Sequence, residues 1–446
     1  MKVLKFWWTS LWSLEMIQKT AKIIAERKKT WEELVIVVSA MTWVTNNLIK
    51  VCELIESKDT ENTLKEIKTI KEKHIEVAKN LWETEKSKAF IHELNKNLEI
   101  LHDIVKWVAL LWDLTQKDKA KILYFWEILS SILLSLALNK LWVKSNFYKS
   151  ANIIMCNWNY MNAEFEPYLS TKKANDFLLS NDLSDETPVI TWFWWWDENW
   201  DIYLFDRWWS DYVWTILWNV FNAESVEIWT DVDGDMSADP RIIKNAIIWE
   251  ELDFLVSAEL ALTWAKVLHP KTISPAQEKN IPVYIKNTFN PSAKWTKICE
   301  SNKQVWIKWI NIDNKQVLIT FIDNDMLSGV WYLYSAIKIL SNNSIIIDAV
   351  ATSETSFTLS IKETDLSKEI LNELFSLSNK FKISIDKDVT KISIIWDTIN
   401  NYSILSELED IKLVSKWGFN KSLTIFIKKM DKDELLKKLH KSIFWI

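Results

Sequence analysis

Glycine is almost missing from this chain, and tryptophan fills nearly the number of positions that glycine should have. The 446 residues include 3 Gly and 30 Trp, whereas an average usage of about 7% predicts roughly 31 Gly. Glycine provides the tight turns and close backbone approaches that other residues adopt only with strain. The composition therefore indicates that most of the tryptophans stand at glycine positions.

Cysteine and long apolar runs are also scarce. Three cysteines, far apart and odd in number, favour small core residues in a reduced, intracellular protein over disulfides or a metal cluster. The most apolar helical stretch, 128–138, is far shorter than the ~20 residues that span a bilayer, and the N-terminus lacks a signal-peptide core. The net charge of −6 implies no polyanion partner. We therefore expect a cytoplasmic protein with neither a membrane segment nor a nucleic-acid partner.

The turn at 5–10, KFWWTS, is the place where tryptophan fits worst. A Lys-Phe strand end that runs into Thr-Ser before a helix calls for a phosphate-cradling turn with close N–H groups and often a positive φ. Glycines at positions 7 and 8 could form it, and two tryptophans could not. We interpret most tryptophans as glycines encoded by UGA codons that were translated as Trp. The alternative is a genuinely Trp-rich surface for sugars or membranes.

The first two thirds of the chain have the pattern of an α/β domain. A strand at 2–6, a helix with Ser13 as N-cap and an apolar run at 34–40 form a βαβ opening. Further helices are predicted at 46–57, 60–83, 86–112, 117–141, 210–223 and 256–268, and further strands at 151–156, 188–191, 202–205, 226–230 and 282–286.

After residue 296 the pattern changes to shorter units. One complete βαββαβ unit, the ferredoxin-like order, is followed by a second unit that is one strand short. The segment 304–310 precedes the first unit and can supply the missing edge strand. The first unit is predicted from strands 315–322, 344–350, 356–361 and 382–386 with helices 331–341 and 366–379, and the second from strands 389–395, 411–416 and 421–428 with helices 399–409 and 431–442.

Several ordered motifs closely resemble aspartate kinase, of the amino-acid kinase superfamily. They are KFWWTS at 5–10, VVSAMTWVTNNL at 37–48, RWWSDY at 207–212, IWTDVDGDMSADPR at 228–241 and AKVLHP at 265–270, the first three read with Gly for Trp. The helical middle matches only at FWEILSS, 125–131. Trp229 is the tryptophan that the family itself places before Thr-Asp.

The resemblance implies a fold and a domain order. An αβα-layered kinase domain with a largely parallel sheet would span 1–297, and a linker with an extra strand 298–314. Two interlocked ACT modules of ferredoxin-like fold would follow at 315–387 and 388–446, the first inserted into the second. Aspartate kinases pair through such modules, so a homodimer is expected.

The implied reaction is phosphorylation of L-aspartate by ATP, with Mg²⁺ accompanying the nucleotide and no dedicated metal site. Such a transfer needs alignment and cancellation of charge. Lys5 lies at the carboxyl end of the first strand, the usual ligand edge of such sheets, and by resemblance stabilises the moving phosphoryl. Read alone, it would be a solvated strand-end lysine. Asp211 would orient Lys5, or serve only as an N-cap.

By the same resemblance, Arg207 would bind a carboxylate of aspartate bidentately and Glu127 would face its ammonium. The alternatives are an N-cap for Ser39 and Ser210 and a solvated helix face for Glu127. The aspartate pocket would comprise Ser39, Ala40, Thr45, Glu127, Arg207 and Ser210, and the ATP site Lys5, Trp7, Trp8, Ser10, Thr230, Asp231, Met236, Arg241 and Lys266. Two departures affect these sites, since Asp206 replaces the usual Gly before Arg207 and Met236 replaces an aromatic residue.

An inhibitory amino acid, lysine or threonine or both, would bind the first ACT module. Helix-entry N–H groups would face its carboxylate and Asp348 its ammonium. The implied regulatory residues are Met326, Gly329, Trp331, Asp348, Thr352, Ser353 and Glu354.

Three alternatives stay open at this point. The modules could only hold a dimer together. The chain could be another amino-acid kinase relative, although the tandem modules speak against it. If the tryptophans are real, it could be a catalytically dead amino-acid sensor.

Overall fold

The computed structural model describes most of the chain in atomic detail. The described residues are 1–444 except 82–86, 157–159, 161–162, 164–165, 182, 184, 192–193, 197–201, 205–216, 219–220, 265–269, 302–306, 323–330, 380–381, 397–402 and 417–421.

The chain forms two compact units. Two short segments from the first 300 residues belong with the C-terminal part. Unit 1 is Met1–Asp235, Ile248–Phe254 and Lys266–Ser301, and unit 2 is Met236–Ile247, Leu255–Ala265 and Asn302–Ile446.

Unit 1 is built on an eight-stranded sheet that is parallel except where β9 meets β10. Strands β1 and β2 are short and almost wholly buried, and β2 is entirely apolar, as expected for central parallel strands. The strand order is β3-β4-β2-β1-β7-β9-β10-β8, and β5 and β6 form a separate hairpin. The bounds are β1 Lys2–Phe6, β2 Leu34–Val38, β3 Ser145–Tyr148, β4 Thr187–Ile190, β5 Trp194–Trp196, β6 Ile202–Leu204, β7 Ser225–Thr230, β8 Glu251–Asp253, β9 Val283–Asn287 and β10 Thr296–Cys299. The predicted α/β class is confirmed.

The helices of the first 300 residues begin with α1, which the Ser13 hydroxyl caps by accepting a hydrogen bond from the Met16 N–H. Helix α6 is the central core helix, buried on all sides from Ile128 to Leu138 and packed against α1 and α4. The bounds are α1 Leu14–Lys28, α2 Thr42–Glu56, α3 Thr60–Leu81, α4 Ser87–Leu111, α5 Gln116–Leu123, α6 Phe125–Lys140, α7 Pro167–Ser180, α8 Phe254–Trp264 and α9 Pro270–Glu278.

Three predictions for this half need correction. The strand predicted at 151–156 is absent, and β3 lies earlier in the chain, because Ile153 and Ile154 are buried after a 3₁₀ turn rather than in the sheet. The helix predicted at 117–141 is divided at Tyr124. Among the described residues, the stretch Gln116–Lys140 is also long and apolar enough to cross a membrane, although 89% of its most apolar window is buried inside the structure. The predicted helix 210–223 lies largely outside the described residues.

Unit 2 contains two four-stranded antiparallel sheets, each with its own apolar core. The first sheet has the order β13-β14-β12-β15 and carries α10 and α11; the second has the order β11-β16-β18-β17 and carries α12. The bounds are β11 Ile307–Asp313, β12 Gln316–Ile322, β13 Ala349–Thr352, β14 Ser356–Lys362, β15 Lys382–Asp386, β16 Val389–Trp396, β17 Ile411–Lys416, β18 Ser422–Lys428, α10 Trp331–Asn342, α11 Lys368–Phe375 and α12 Lys432–Phe444.

The second sheet has an edge strand from the segment before the first module, at Ile307–Asp313 rather than at the predicted 304–310. Strand β11 precedes the whole first module in the chain and pairs with β16 from the second. The first module is therefore inserted into the second. The helix predicted at 399–409 is in its described part only a 3₁₀ turn, Ser403–Glu407.

Three tryptophans follow helix ends with the backbone in the left-handed region. The φ angles are +62° at Trp31, +54° at Trp112 and +63° at Trp142. After α6, the N–H of Trp142 donates to Asn139 (3.1 Å) and that of Val143 to Leu138 (3.0 Å), the two hydrogen bonds of a Schellman motif. Glycine is the residue that this position favours, because a Cβ there clashes with the backbone.

Candidate active site

Three loops meet at the carboxyl edge of the parallel sheet in unit 1. Phe6 lies opposite Val38 of β2 on one side and opposite Trp229 of β7 on the other. The Trp7 N–H donates to the carbonyl of Trp229 (3.0 Å), and the Ser39 N–H donates to that of Phe6 (3.1 Å). The turn after β1, the loop after β2 and the Thr-Asp turn after β7 are thus joined by backbone hydrogen bonds at the edge where such sheets bind ligands.

Lys5 lies beneath this edge and is 1% exposed. The alternative of a solvated strand-end lysine is therefore wrong. The Lys5 ammonium is 5.1 Å from the ring centroid of Trp7. The Trp7 indole N–H is buried with no hydrogen-bond acceptor, a costly arrangement for a polar group. The indole therefore fills the space beside the Lys5 ammonium.

The backbone of this turn differs from the expectation. Trp7 has φ −71°, and neither Trp7 nor Trp8 is in the left-handed region. The backbone conformation of this turn therefore does not itself call for glycine, and the expectation of glycine at 7 and 8 stays a prediction that depends on space and on access to the backbone.

Ser10 supports the turn from inside. Its hydroxyl, fully buried, donates to the Trp229 carbonyl (3.2 Å) and lies 2.7 Å from the Thr288 hydroxyl. Thr288 in turn donates its N–H to the Thr230 carbonyl (2.8 Å). The predicted contact between the Ser10 hydroxyl and phosphate stays a prediction, but these hydrogen bonds give that hydroxyl a positioning role between β1, β7 and β9.

Ser130, which the sequence analysis did not single out, links the backbone of α6 to the loop after β2. The Ser130 hydroxyl on α6 lies 2.9 Å from the carbonyl of Ser39 and 2.9 Å from that of Glu127. Glu127 is 3% exposed, so a solvated helix face is wrong, and the N-cap of α2 is Met41 rather than Ser39. The available signal was the position of Ser130, three residues after Glu127 and therefore on the same helix face.

The Thr-Asp turn after β7 holds two carboxylates in place. The Thr230 hydroxyl donates to Asp231 (3.0 Å), and the Asn287 amide donates to Asp233 (2.7 Å). A Cβ at Gly234, whose φ is +146°, would lie 2.5 Å from the Thr296 hydroxyl, so this glycine is required. Burial raises the pKa of Asp235 to about 7. Among the described residues, no group of three His, Cys, Asp or Glu could hold a metal ion.

The remaining predicted nucleotide residues that the structure describes, Met236 and Arg241, belong to unit 2. The Arg241 guanidinium pairs bidentately with Asp239 (2.9 and 2.6 Å). The segment after Met236 is fixed within unit 2, because the Ser237 hydroxyl lies 2.9 Å from the His440 imidazole and the Ser237 carbonyl accepts from the Ile310 N–H (3.1 Å).

Of the predicted regulatory residues, Trp331 begins α10, and Asp348 and Ser353 stand at opposite ends of β13. Asp348 precedes β13, whereas Ser353 begins the turn after it and closes that turn through Ser356 (2.7 Å). The strand predicted at 344–350 is therefore shorter and shifted. Five residues of extended chain span about 16 Å, so one module does not bring both ends to the same small ligand. Arg207, Ser210, Asp211, Lys266, Met326 and Gly329 lie outside the described residues.

Comparisons with known proteins identify the family. The sequence pattern of the amino acid kinase family matches residues 2–287, which is well over half of the chain. The protein belongs to the amino acid kinase family.

Proteins similar to this chain include several aspartokinases. The chain is 28% identical to aspartokinase 2, chloroplastic, of Arabidopsis thaliana, over 99% of this chain and 84% of that protein. It shares its fold with E. coli aspartokinase III in complex with lysine and aspartate, at a TM-score of 0.82, 22% identity and coverage of 100% and 99% of the two chains. The same E. coli protein in complex with aspartate and ADP gives a TM-score of 0.81, 23% identity and coverage of 100% of both chains.

Proposed function

We propose that this chain is an aspartate kinase, which transfers the γ-phosphoryl group of ATP to the β-carboxylate of L-aspartate to give 4-phospho-L-aspartate. That product is the first intermediate on the way to lysine, threonine and methionine. The observation that carries the proposal is the buried Lys5 ammonium at the edge where the loops after β1, β2 and β7 meet. The match to aspartokinases over nearly the whole chain supports it.

The residues at this edge suit the chemistry. A preorganised ammonium stabilises negative charge on the moving phosphoryl better than water does. Glu127, buried next to the Ser39 loop, provides the anionic partner for the ammonium of aspartate. Mg²⁺ is expected to arrive with ATP, since this ion is usually held by substrate phosphates and one or two carboxylates. Asp231, itself a predicted nucleotide residue, and Asp233 are carboxylates on the Thr-Asp turn after β7 that could hold such an ion.

The proposal requires glycine at positions 7 and 8, and we infer that most tryptophans are glycines in the natural protein. Two tryptophans illustrate the contrast. Trp229 is buried, stacks on Phe6 at 5.7 Å and donates its indole N–H to Glu227 (3.0 Å). Trp7 has no hydrogen-bond acceptor for its indole N–H. These contacts support a true tryptophan at 229 and a glycine at 7.

Regulation by an amino acid is part of the proposal. Asp348 and Ser353 lie at opposite ends of β13, so a ligand that contacts both needs two copies of the module. This separation supports a homodimer in which the effector binds between modules of two subunits. The expected effector is lysine, threonine or both.

The test compares two forms of the full-length chain. The tryptophan form has the sequence as it stands, and the glycine form has Gly at every Trp position except 229. ADP release and hydroxylamine trapping of the acyl phosphate are measured with L-aspartate and with L-glutamate. We expect turnover of aspartate by the glycine form only, because the indoles at 7 and 8 block the phosphate site.

Two variants of the glycine form assign the roles. Lys5→Ala should lower kcat by ~10² or more, since the loss of one preorganised charge costs roughly 2.7–4 kcal/mol in the transition state. Lys22→Ala, an exposed lysine on α1, is the matched control and should change nothing. Arg207→Ala should act mainly on KM for aspartate. If neither form phosphorylates aspartate, the catalytically dead amino-acid sensor becomes the better function.

A further inference from the structure

The carboxylate assigned to the effector already holds an ammonium group of its own chain. The Lys391 Nζ lies 3.0 Å from Asp348 Oδ2, and the two side chains are only 16% and 19% exposed. Asp348 itself is held in place, because its N–H donates to the Ser360 carbonyl (2.8 Å). The ion pair is therefore partly shielded from solvent, where salt screens it less than it screens a surface pair.

This ion pair joins the two modules of unit 2. Asp348 directly precedes β13 of the first module, and Lys391 is on β16 of the second. Next to it, Leu318 and Ala349 of the first module pack on Val389 and Phe426 of the second in a small buried cluster. The Lys391 ammonium thus lies at the contact between the two modules. Its partner there is Asp348, the carboxylate that is proposed to bind the ammonium of the effector.

A lysine side chain and a free amino acid present the same chemical group to this carboxylate. Both are primary ammonium ions with N–H donors. A carboxylate whose charge is already offset by one ammonium attracts a second ammonium less strongly. Resting on the regulation proposed above, we propose that Lys391 is an internal competitor for the effector site. An amino acid binds Asp348 only by displacing Lys391, which also breaks the ionic link between the modules.

The proposal gives binding a built-in consequence. An effector shifts a conformational equilibrium only as far as its affinities for the two states differ. Here the state with the Asp348–Lys391 pair intact excludes the ligand ammonium, and the state with the pair broken accepts it. Lys391 therefore determines how much effector is needed for binding. It also determines the structural change on binding, which is the loss of the ion pair between the modules.

The test removes the competitor without shortening the side chain. Lys391→Met keeps the aliphatic length and loses the charge. Lys412→Met is the matched control, since the Lys412 ammonium pairs with a different carboxylate of the first module, that of Asp386 (2.6 Å). Binding of L-lysine and of L-threonine to the full-length chain is measured by calorimetry in both the tryptophan and glycine forms, and thermal unfolding checks that each variant folds.

We expect Lys391→Met to bind the preferred amino acid about fivefold more tightly than the parent, the value of an ion pair near the upper end of the exposed range. Lys412→Met should bind like the parent. Equal or weaker binding by Lys391→Met, an equal gain in Lys412→Met, or no binding by any variant would overturn the proposal. Because binding is read without turnover, a chain that lacks kinase activity still decides this question, so the two proposals fail separately.

Discussion

The left-handed tryptophans after α1 and α6 allow a direct test of whether those positions call for glycine. Trp31 and Trp142 have φ near +60° and are 92% and 90% exposed, so their indoles contribute almost no burial. An L-residue in this conformation costs roughly 1–2 kcal/mol, whereas the extra freedom of glycine in the unfolded chain costs about 0.4–1 kcal/mol. Trp31→Gly and Trp142→Gly should each raise the free energy of unfolding by about 0.5–1 kcal/mol.

The three left-handed tryptophans differ in the side-chain contacts that a change to glycine removes. Trp112, at φ +54°, also donates its indole N–H to the Thr60 hydroxyl (3.3 Å) and lies under the Lys58 ammonium. Trp112→Gly should therefore gain less than the other two. Trp31 and Trp142 follow different helices, so we expect their effects to add.

The assay is equilibrium urea unfolding followed by circular dichroism at the helix band, since tryptophan fluorescence changes with the substitutions themselves. Trp107→Gly is the matched control, because Trp107 is 65% exposed but lies within α4. That change should lower stability by about 0.5 kcal/mol through helix propensity alone. Lys58→Gly is a further control, because Lys58 also has a left-handed backbone (φ +62°) and is not a tryptophan. This change should raise the free energy of unfolding by the same conformational argument. If Trp31→Gly and Trp142→Gly are no more stable than Trp107→Gly, the conformational argument is refuted.

Two further predictions concern other tryptophan positions. Burial lowers the pKa of His74 to about 4, and the Trp43 ring, 5.2 Å away, is part of its cover. The unfolded chain takes up a proton between pH 6.5 and 4 while the folded chain does not, so stability should fall by about 3 kcal/mol as pH drops through that window. Trp43→Gly should move the pKa back toward 6.5 and shrink the loss; an NMR titration that finds His74 near 6.5 with Trp43 present would contradict this. In the gene, we expect UGA at Trp7, Trp8, Trp12, Trp43, Trp126, Trp208 and Trp209 and UGG at Trp229, and peptide masses of the natural protein check the residues directly. UGG codons at positions 7 and 8 would end the glycine interpretation.

Periodicity predicted the elements whose burial is regular. Strand β1, the Ser13 cap and the order of the C-terminal modules follow from apolar spacing and capping chemistry, and the structure confirms them. The strand predicted at 151–156 failed because an apolar run is equally buried in a strand and in a turn packed under a sheet. The pattern alone does not distinguish the two.

Site residues could be predicted from the sequence only where they belong to a recognised family motif. Lys5 and Glu127 were assigned by resemblance, and their burial agrees with a role inside the edge of the sheet. Ser130 and Lys391 were missed because their partners, Ser39 and Asp348, are distant in sequence. Contacts of that kind depend on tertiary structure, which local pattern does not encode.

The insertion of one module into the other determines the order in which a ribosome can complete them. Strand β11 emerges first and has to wait for β16 until the entire first module has been synthesised. The first module can close on its own strands in the meantime, whereas the second needs the C-terminal β18 and α12 as well. A nascent chain therefore carries β11 as an unpaired apolar strand until β16 has been made, and a product truncated before β16 would keep that strand open to other chains. Neither a deletion after the first module nor an isolated C-terminal fragment that starts at β16 would contain a complete second sheet.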